Sequence, residues 1–132
     1  YLFDETIEDN LRIAKPDATQ EEIEAACRMA SVHEFILSLP DGYKTRVGAL
    51  GDNLSAGEKQ RIGLARAFLR GSEWILLDEP TSNVDSINEG IILKALQEQK
   101  RKKSILLVSH RESTMAIADR IYRVKDGRMA EI

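Results

Sequence analysis

Ile75-Leu76-Leu77-Asp78-Glu79-Pro80 is an apolar run that stops abruptly on two adjacent carboxylates and a proline. With Trp74 in front, it reads as a strand of a parallel sheet, continuously apolar because helices cover both faces. Open α/β sheets bind ligands beyond the carboxyl ends of such strands. Asp78 and Glu79 fall at that end. A carboxylate pair there can hold Mg²⁺ through water and orient or deprotonate an attacking water. The alternative is an exposed acidic loop after a strand, and the placement favours function.

Downstream, strand and helix alternate. Residues 86 to 100 carry Ile87, Ile91, Leu93, Ala95 and Leu96 at helical spacing and end in Lys100-Arg101-Lys102-Lys103, cations that suit a helix C-terminus. Asp85 reads as the cap of that helix. Ser104 to Val108 is a second buried-type strand, with His110 just past its end and so on the same edge as Asp78 and Glu79. A lone histidine is usually structural; one beside a carboxylate pair is a candidate for contacting a phosphate or the attacking water. A helix should run to about Ala118. Residues 121 to 132 alternate around Asp126-Gly127, a hairpin signal.

Upstream, Leu54-Ser55-Ala56-Gly57-Glu58-Lys59-Gln60-Arg61 opens a helix predicted over residues 55 to 70, with Ile62, Ala65 and Leu69 in line and Gly71 as its stop. Ser55 and Glu58 form a capping-box pattern. The small Ala56-Gly57 pair allows an outside anion close to the free N–H groups of the helix start. Phosphate chemistry, and ATP in particular, is the shared reading of these segments. The chain nevertheless lacks G-x-x-x-x-G-K-[ST], the loop that cradles phosphates from within one subunit.

The first half is helical. Thr6 caps a short helix ending before Pro16; Thr19 to Glu22 is a capping box; Ser31 to Glu34 repeats the pattern and sends Val32, Phe35, Ile36 and Leu39 inward. His33 is expected in solvent and residues 43 to 53 in an irregular loop. A division follows: a helical subdomain over 1–71 and an α/β part over 72–132.

The 132 residues are one domain's worth of chain, 42% hydrophobic and 31% charged, with net charge −3. That charge gives no case for nucleic acid. No apolar stretch approaches the roughly 18 residues of a membrane span, and no signal peptide opens the chain. Cys27 is alone, so an internal disulfide is excluded; it reads as a packed thiol in a reducing compartment. Both ends read as cut, Tyr1-Leu2-Phe3 lacking a Met and Met129 to Ile132 stopping inside a strand.

In order and spacing these segments resemble the ATP-binding domain of ABC transporters over essentially the whole chain. Leu54-Ser55-Ala56-Gly57-Glu58 is similar to the family signature L-S-G-G-Q, Ile75 to Glu79 to Walker B with its catalytic glutamate, Ser82 to Asp85 to the D-loop, and His110 to the switch histidine. Residues 2–10 and 40–48 resemble exporter-type segments. The chain departs from the family at three places: Thr45-Arg46-Val47-Gly48-Ala49-Leu50-Gly51 stands for T-E-V-G-E-R-G, Ala56 for glycine and Glu58 for glutamine.

The resemblance implies a partial P-loop NTPase fold: a helical subdomain, half of a parallel-sheet core and a C-terminal hairpin. It implies ATP and Mg²⁺ as ligands, with Asp78 on the metal, Glu79, His110 and Asp85 in the hydrolytic machinery, and the signature residues 54–58 closing over nucleotide held by a second such domain in a head-to-tail dimer. A transmembrane domain is the further partner, at the cytoplasmic face of the cell membrane. By itself the segment is expected to be inactive. Two other readings stay open at this point: an ABC-type ATPase of DNA repair or chromosome maintenance, and a shortened non-catalytic interaction module.

Overall fold

The computed structural model describes residues 2–132; Tyr1, one residue of the expected cut start, lies outside them. Three helices form the first layer: α1 (Ile7–Arg12), α2 (Gln20–Met29) and α3 (His33–Ser38). Thr6 accepts from the Asp9 N–H at the start of α1, and Thr19 with Glu22 closes both halves of a capping box on α2. Ser31 does not cap α3. It sits at φ 58°, and Val32 takes the cap position without a side-chain bond. Residues 43–53, expected as an irregular loop, instead carry most of three short helical turns: a 3₁₀ turn (Gly42–Lys44), α4 (Val47–Leu50) and a second 3₁₀ turn (Gly51–Asn53).

The long helix α5 (Ala56–Arg70) follows, ended by Gly71 in the left-handed region at φ 74°. Its Ile62, Ala65 and Leu69 pack with Ile7 and Leu11 of α1 and with Ile23, Ala26 and Cys27 of α2, all buried. Cys27 is fully buried and burial pushes its thiol up to about 11, the inert state expected of a packed cysteine. His33, expected in solvent, is buried instead. Its Nδ1 lies 2.7 Å from the Tyr43 hydroxyl, which supplies the polar partner that water would otherwise provide.

The N-terminal segment lies antiparallel to residues 45–48. Ile7 N–H donates to the Thr45 carbonyl (2.9 Å), Val47 N–H to the Glu5 carbonyl (2.9 Å) and Gly48 N–H to Asp4 Oδ1 (3.1 Å). A Cβ on Gly48 would stand 2.2 Å from that carboxylate oxygen, so a larger residue there would displace the Asp4 side chain from this bond. The two exporter-like stretches of the sequence thus meet in space.

Glu8, nearly buried, joins this layer through ion pairs to Arg12 and to Lys44 (3.1 Å). Burial disfavours its charge, but the two cations outweigh it and hold the carboxyl below its ordinary value. A carboxyl depressed in this way adds stability above its unfolded pKa and loses it as pH falls through the lower, folded value. The melting-temperature gap between wild type and Glu8→Gln should therefore be widest near neutrality and close below about pH 4. A gap that is constant with pH would remove the ion pairs from the account.

Strand β1 (Trp74–Asp78) pairs in parallel with β2 (Ser104–Val108), Asp78 opposite Val108, with α6 (Ser86–Gln99) as the crossover. Only one face of this two-stranded sheet is covered. Ile75 is buried against the core, whereas Trp74, Leu76, Leu106 and Val108 are exposed, unlike the two-sided burial the sequence predicts. Among the described residues none buries that second face. Ile87, expected inside, is also exposed; Ile92, Leu93, Ala95 and Leu96 carry the packing of α6. Beyond β2, α7 (Glu112–Met115) is shorter than expected. The hairpin β3 (Tyr122–Lys125) and β4 (Arg128–Glu131) turns through Asp126 and Gly127, both at positive φ (50° and 74°), as a type I′ turn requires.

Candidate functional site

The carboxyl ends of β1 and β2 form the site. The ladder runs one step past Asp78, since Glu79 N–H donates to the Val108 carbonyl at 2.7 Å. There the chain turns sharply: Glu79 adopts φ 50°, a left-handed conformation that costs a non-glycine residue about 1–2 kcal/mol. Such strain persists where the surroundings over-determine it, and active sites are where it gathers. Ser82 N–H returns to the Glu79 carbonyl at 3.1 Å and Thr81 is buried beneath the turn.

Glu79 and His110 meet. Nδ1 of His110 stands 2.9 Å from Glu79 Oε1. An ionised carboxylate only accepts, so a hydrogen bond across this distance requires the proton on Nδ1 and leaves Nε2 outside the contact. The His110 side chain is 89% exposed, so the imidazole is open to a ligand. Asp78, next to Glu79, is also exposed.

Asp85 caps α6 as its spacing predicts, its Oδ1 accepting from Asn88 N–H at 2.7 Å. Asn88 Nδ2 adds bonds to both carboxylate oxygens (3.1 and 3.0 Å). The backbone bond from Asn88, then its side-chain amide, hold the Asp85 carboxyl below the usual range.

The same asparagine touches the start of α5. A Cβ on Gly57 would lie 2.3 Å from Asn88 Cγ, so the absent side chain is what lets α5 and α6 close. Of residues 54–58, Leu54 and Gly57 are buried, Glu58 is half-buried, and Ser55 and Ala56 face solvent. Ser55 Oγ accepts from Glu58 N–H at 3.2 Å, half of the expected capping box. As first residues of the helix, Ala56 and Gly57 have no carbonyl one turn back for their N–H groups, which suits an anion.

Two clusters result, Glu79 with His110 and Ser55–Gly57 with Asn88 and Asp85. Helix α6 joins them, because Glu89, beside Asn88, pairs with Arg111, beside His110 (2.6 Å). Sequence reasoning passed over Asn88, Glu89 and Arg111. The available signal was position: a polar pair in the first turn of α6 and a cation directly after the histidine.

The family description "ABC transporter" matches residues 2–82. The chain belongs to the ABC transporter family. Over 98% of its length it is 61% identical to the Haemophilus influenzae protein named "Probable ABC transporter ATP-binding/permease protein", and over 99% it is 44% identical to "Multidrug resistance protein pgp-1" of Caenorhabditis elegans. It covers 24% and 10% of those two proteins. Among solved structures, a bacterial Atm1-family ABC exporter with ATP bound superposes at TM-score 0.85 and 37% identity, over 98% of this chain and 23% of that one. The partial ABC ATPase fold expected from the sequence is thereby established. No helix among the described residues is long and apolar enough to cross a membrane.

Proposed function

We propose that this ABC-family chain is the signature and hydrolytic portion of an exporter's ATP-binding domain, with ATP as substrate. The observation that carries the reading is the 2.9 Å contact between Glu79 and His110 at the joined ends of β1 and β2. Glu79 takes the role of general base toward water, and His110 contacts the γ-phosphate through its free Nε2. Ser55 and the N–H groups of Ala56 and Gly57 close over ATP held on a second ATP-binding domain. Asp85 keeps the start of α6 in register for that contact. Residues 1–71 act as the helical subdomain and 72–132 as the core half.

Among the described residues no three His, Cys, Asp or Glu side chains are grouped to hold a metal by themselves. An exposed single carboxylate such as Asp78 nevertheless fits Mg²⁺, which takes one or two carboxylates beside waters and substrate phosphates. When bound, Mg²⁺ supplies charge neutralisation on those phosphates. The exporter relatives support a transmembrane domain as partner and a place at the cytoplasmic membrane face, over the DNA-directed and non-catalytic readings.

The test compares the intact transporter with residues 1–132 alone. The intact protein should hydrolyse ATP, and His110→Ala should lower turnover at least about tenfold, within the range of a positioned acid–base or phosphate contact. The 132-residue chain, having no phosphate-cradling loop, should show neither hydrolysis nor tight ATP binding by calorimetry. Unchanged turnover in His110→Ala, or stoichiometric micromolar binding by the short chain, contradicts the reading.

A further inference from the structure

Among the described residues the exposed imidazole of His110 has a single side-chain partner, Glu79, and packing does not fix it. Something else must hold the segment after β2. Arg111 does so at three points. Its N–H donates to Ser109 Oγ (3.1 Å), its Nη1 donates to the Thr81 carbonyl (2.6 Å), and its Nη2 lies 2.6 Å from Glu89 Oε2. The last contact is ionic rather than a well-aligned hydrogen bond, since that oxygen has no hydrogen-bond partner. Both anchors are well covered: Thr81 is buried, and the Glu89 side chain is only 12% exposed.

The two contacts make a ladder. Glu79 to His110 is one rung, and Thr81 to Arg111, two residues on along one edge and one along the other, is the next. We propose that Arg111 is a positioning residue for ATP hydrolysis: it fixes His110 against the strained turn at Glu79 and, through Glu89, ties that pair to the helix whose Asn88 seats Gly57. The inference rests on the hydrolytic reading of Glu79 and His110. Arg111 itself need not touch nucleotide, so its loss should spare substrate binding and slow the chemical step. Lysine at this position keeps a charge for Glu89 but, as a point charge without a planar fork, cannot serve Thr81 and Glu89 together.

In the intact transporter, Arg111→Met should lower kcat about tenfold or more with KM for ATP within about twofold. Arg111→Lys should recover part of that loss. Glu89→Gln, which keeps side-chain size, should lower kcat several-fold in the same pattern and serves where Arg111→Met does not fold. Wild-type kcat in Arg111→Met, a KM that rises in step with the loss, or a lysine variant no better than methionine would each overturn the proposal. Glu79→Gln, assayed alongside, separates the two levels. Normal turnover there removes the hydrolytic reading and this inference with it, whereas an inactive Glu79→Gln beside an active Arg111→Met removes the positioning role alone.

Discussion

Glu79→Gln in the intact transporter should abolish most ATP turnover, by on the order of 10²–10⁴-fold, while ATP still binds. Glutamine keeps the size of the side chain and an oxygen that can accept from His110 Nδ1, so the 2.9 Å contact and the turn at φ 50° survive. What disappears is basicity. A neutral amide cannot take a proton from water, and no other described carboxylate is in contact with His110. Asp78, though adjacent, is the last residue of β1, before the turn, and makes no ion pair with His110. The measurement is steady-state ATPase with parallel nucleotide-binding titration. Turnover within a few-fold of wild type would remove Glu79 from the mechanism, and binding lost together with turnover would assign it to substrate recognition instead.

The fold was legible wherever local chemistry and burial agree. Thr19 and Glu22, Gly71, and the Asp126-Gly127 pair act through bonds or φ values within a few residues, so their motifs translated directly into a cap, a stop and a turn. Ser31 and Val32 show the limit. The S-x-x-E pattern is satisfied in sequence, yet Arg61 Nη1 donates to the Ser31 carbonyl at 2.8 Å, thirty residues away, and Ser31 stands at φ 58° one residue before the cap. The solvated reading of His33 failed for a related reason, because Tyr43, ten residues on, supplies its hydrogen bond. At the site, the meeting of Glu79 and His110 was readable because both follow apolar strands and parallel strands present their ends together. Arg111, Glu89 and Asn88 showed in sequence only by position; the contacts of Arg111 with Thr81 and Glu89 and of Asn88 with Gly57 cross elements whose relative placement no local pattern encodes.

Gly57→Ala and Gly63→Ala, the same change six residues apart in α5, should move stability in opposite directions. An added Cβ at Gly63 meets nothing within 4 Å, so only helix propensity acts, and alanine should stabilise by up to about 1 kcal/mol. At Gly57 the Cβ would lie 2.3 Å from Asn88 Cγ and 2.8 Å from Asn88 Cβ. Asn88 cannot simply swing aside, because its amide and its N–H are all bonded to Asp85 at the cap of α6. Either the cap breaks or the helices part, and overpacking of this kind costs typically about 1–3 kcal/mol, more than the propensity gained. Thermal unfolding should therefore show a lower Tm for Gly57→Ala and a higher one for Gly63→Ala. Adding Asn88→Ala to Gly57→Ala removes the obstructing amide but leaves the Cβ 2.8 Å away, so it should return part of the stability lost at position 57, the non-additivity of two residues in contact. ATP turnover should fall in Gly57→Ala as well, because the N-terminus of α5, which we propose closes over ATP held on a second domain, is displaced from its seat on Asn88. Equal shifts at the two glycines, or strict additivity of Gly57→Ala with Asn88→Ala, would show that α5 and α6 do not meet at this point.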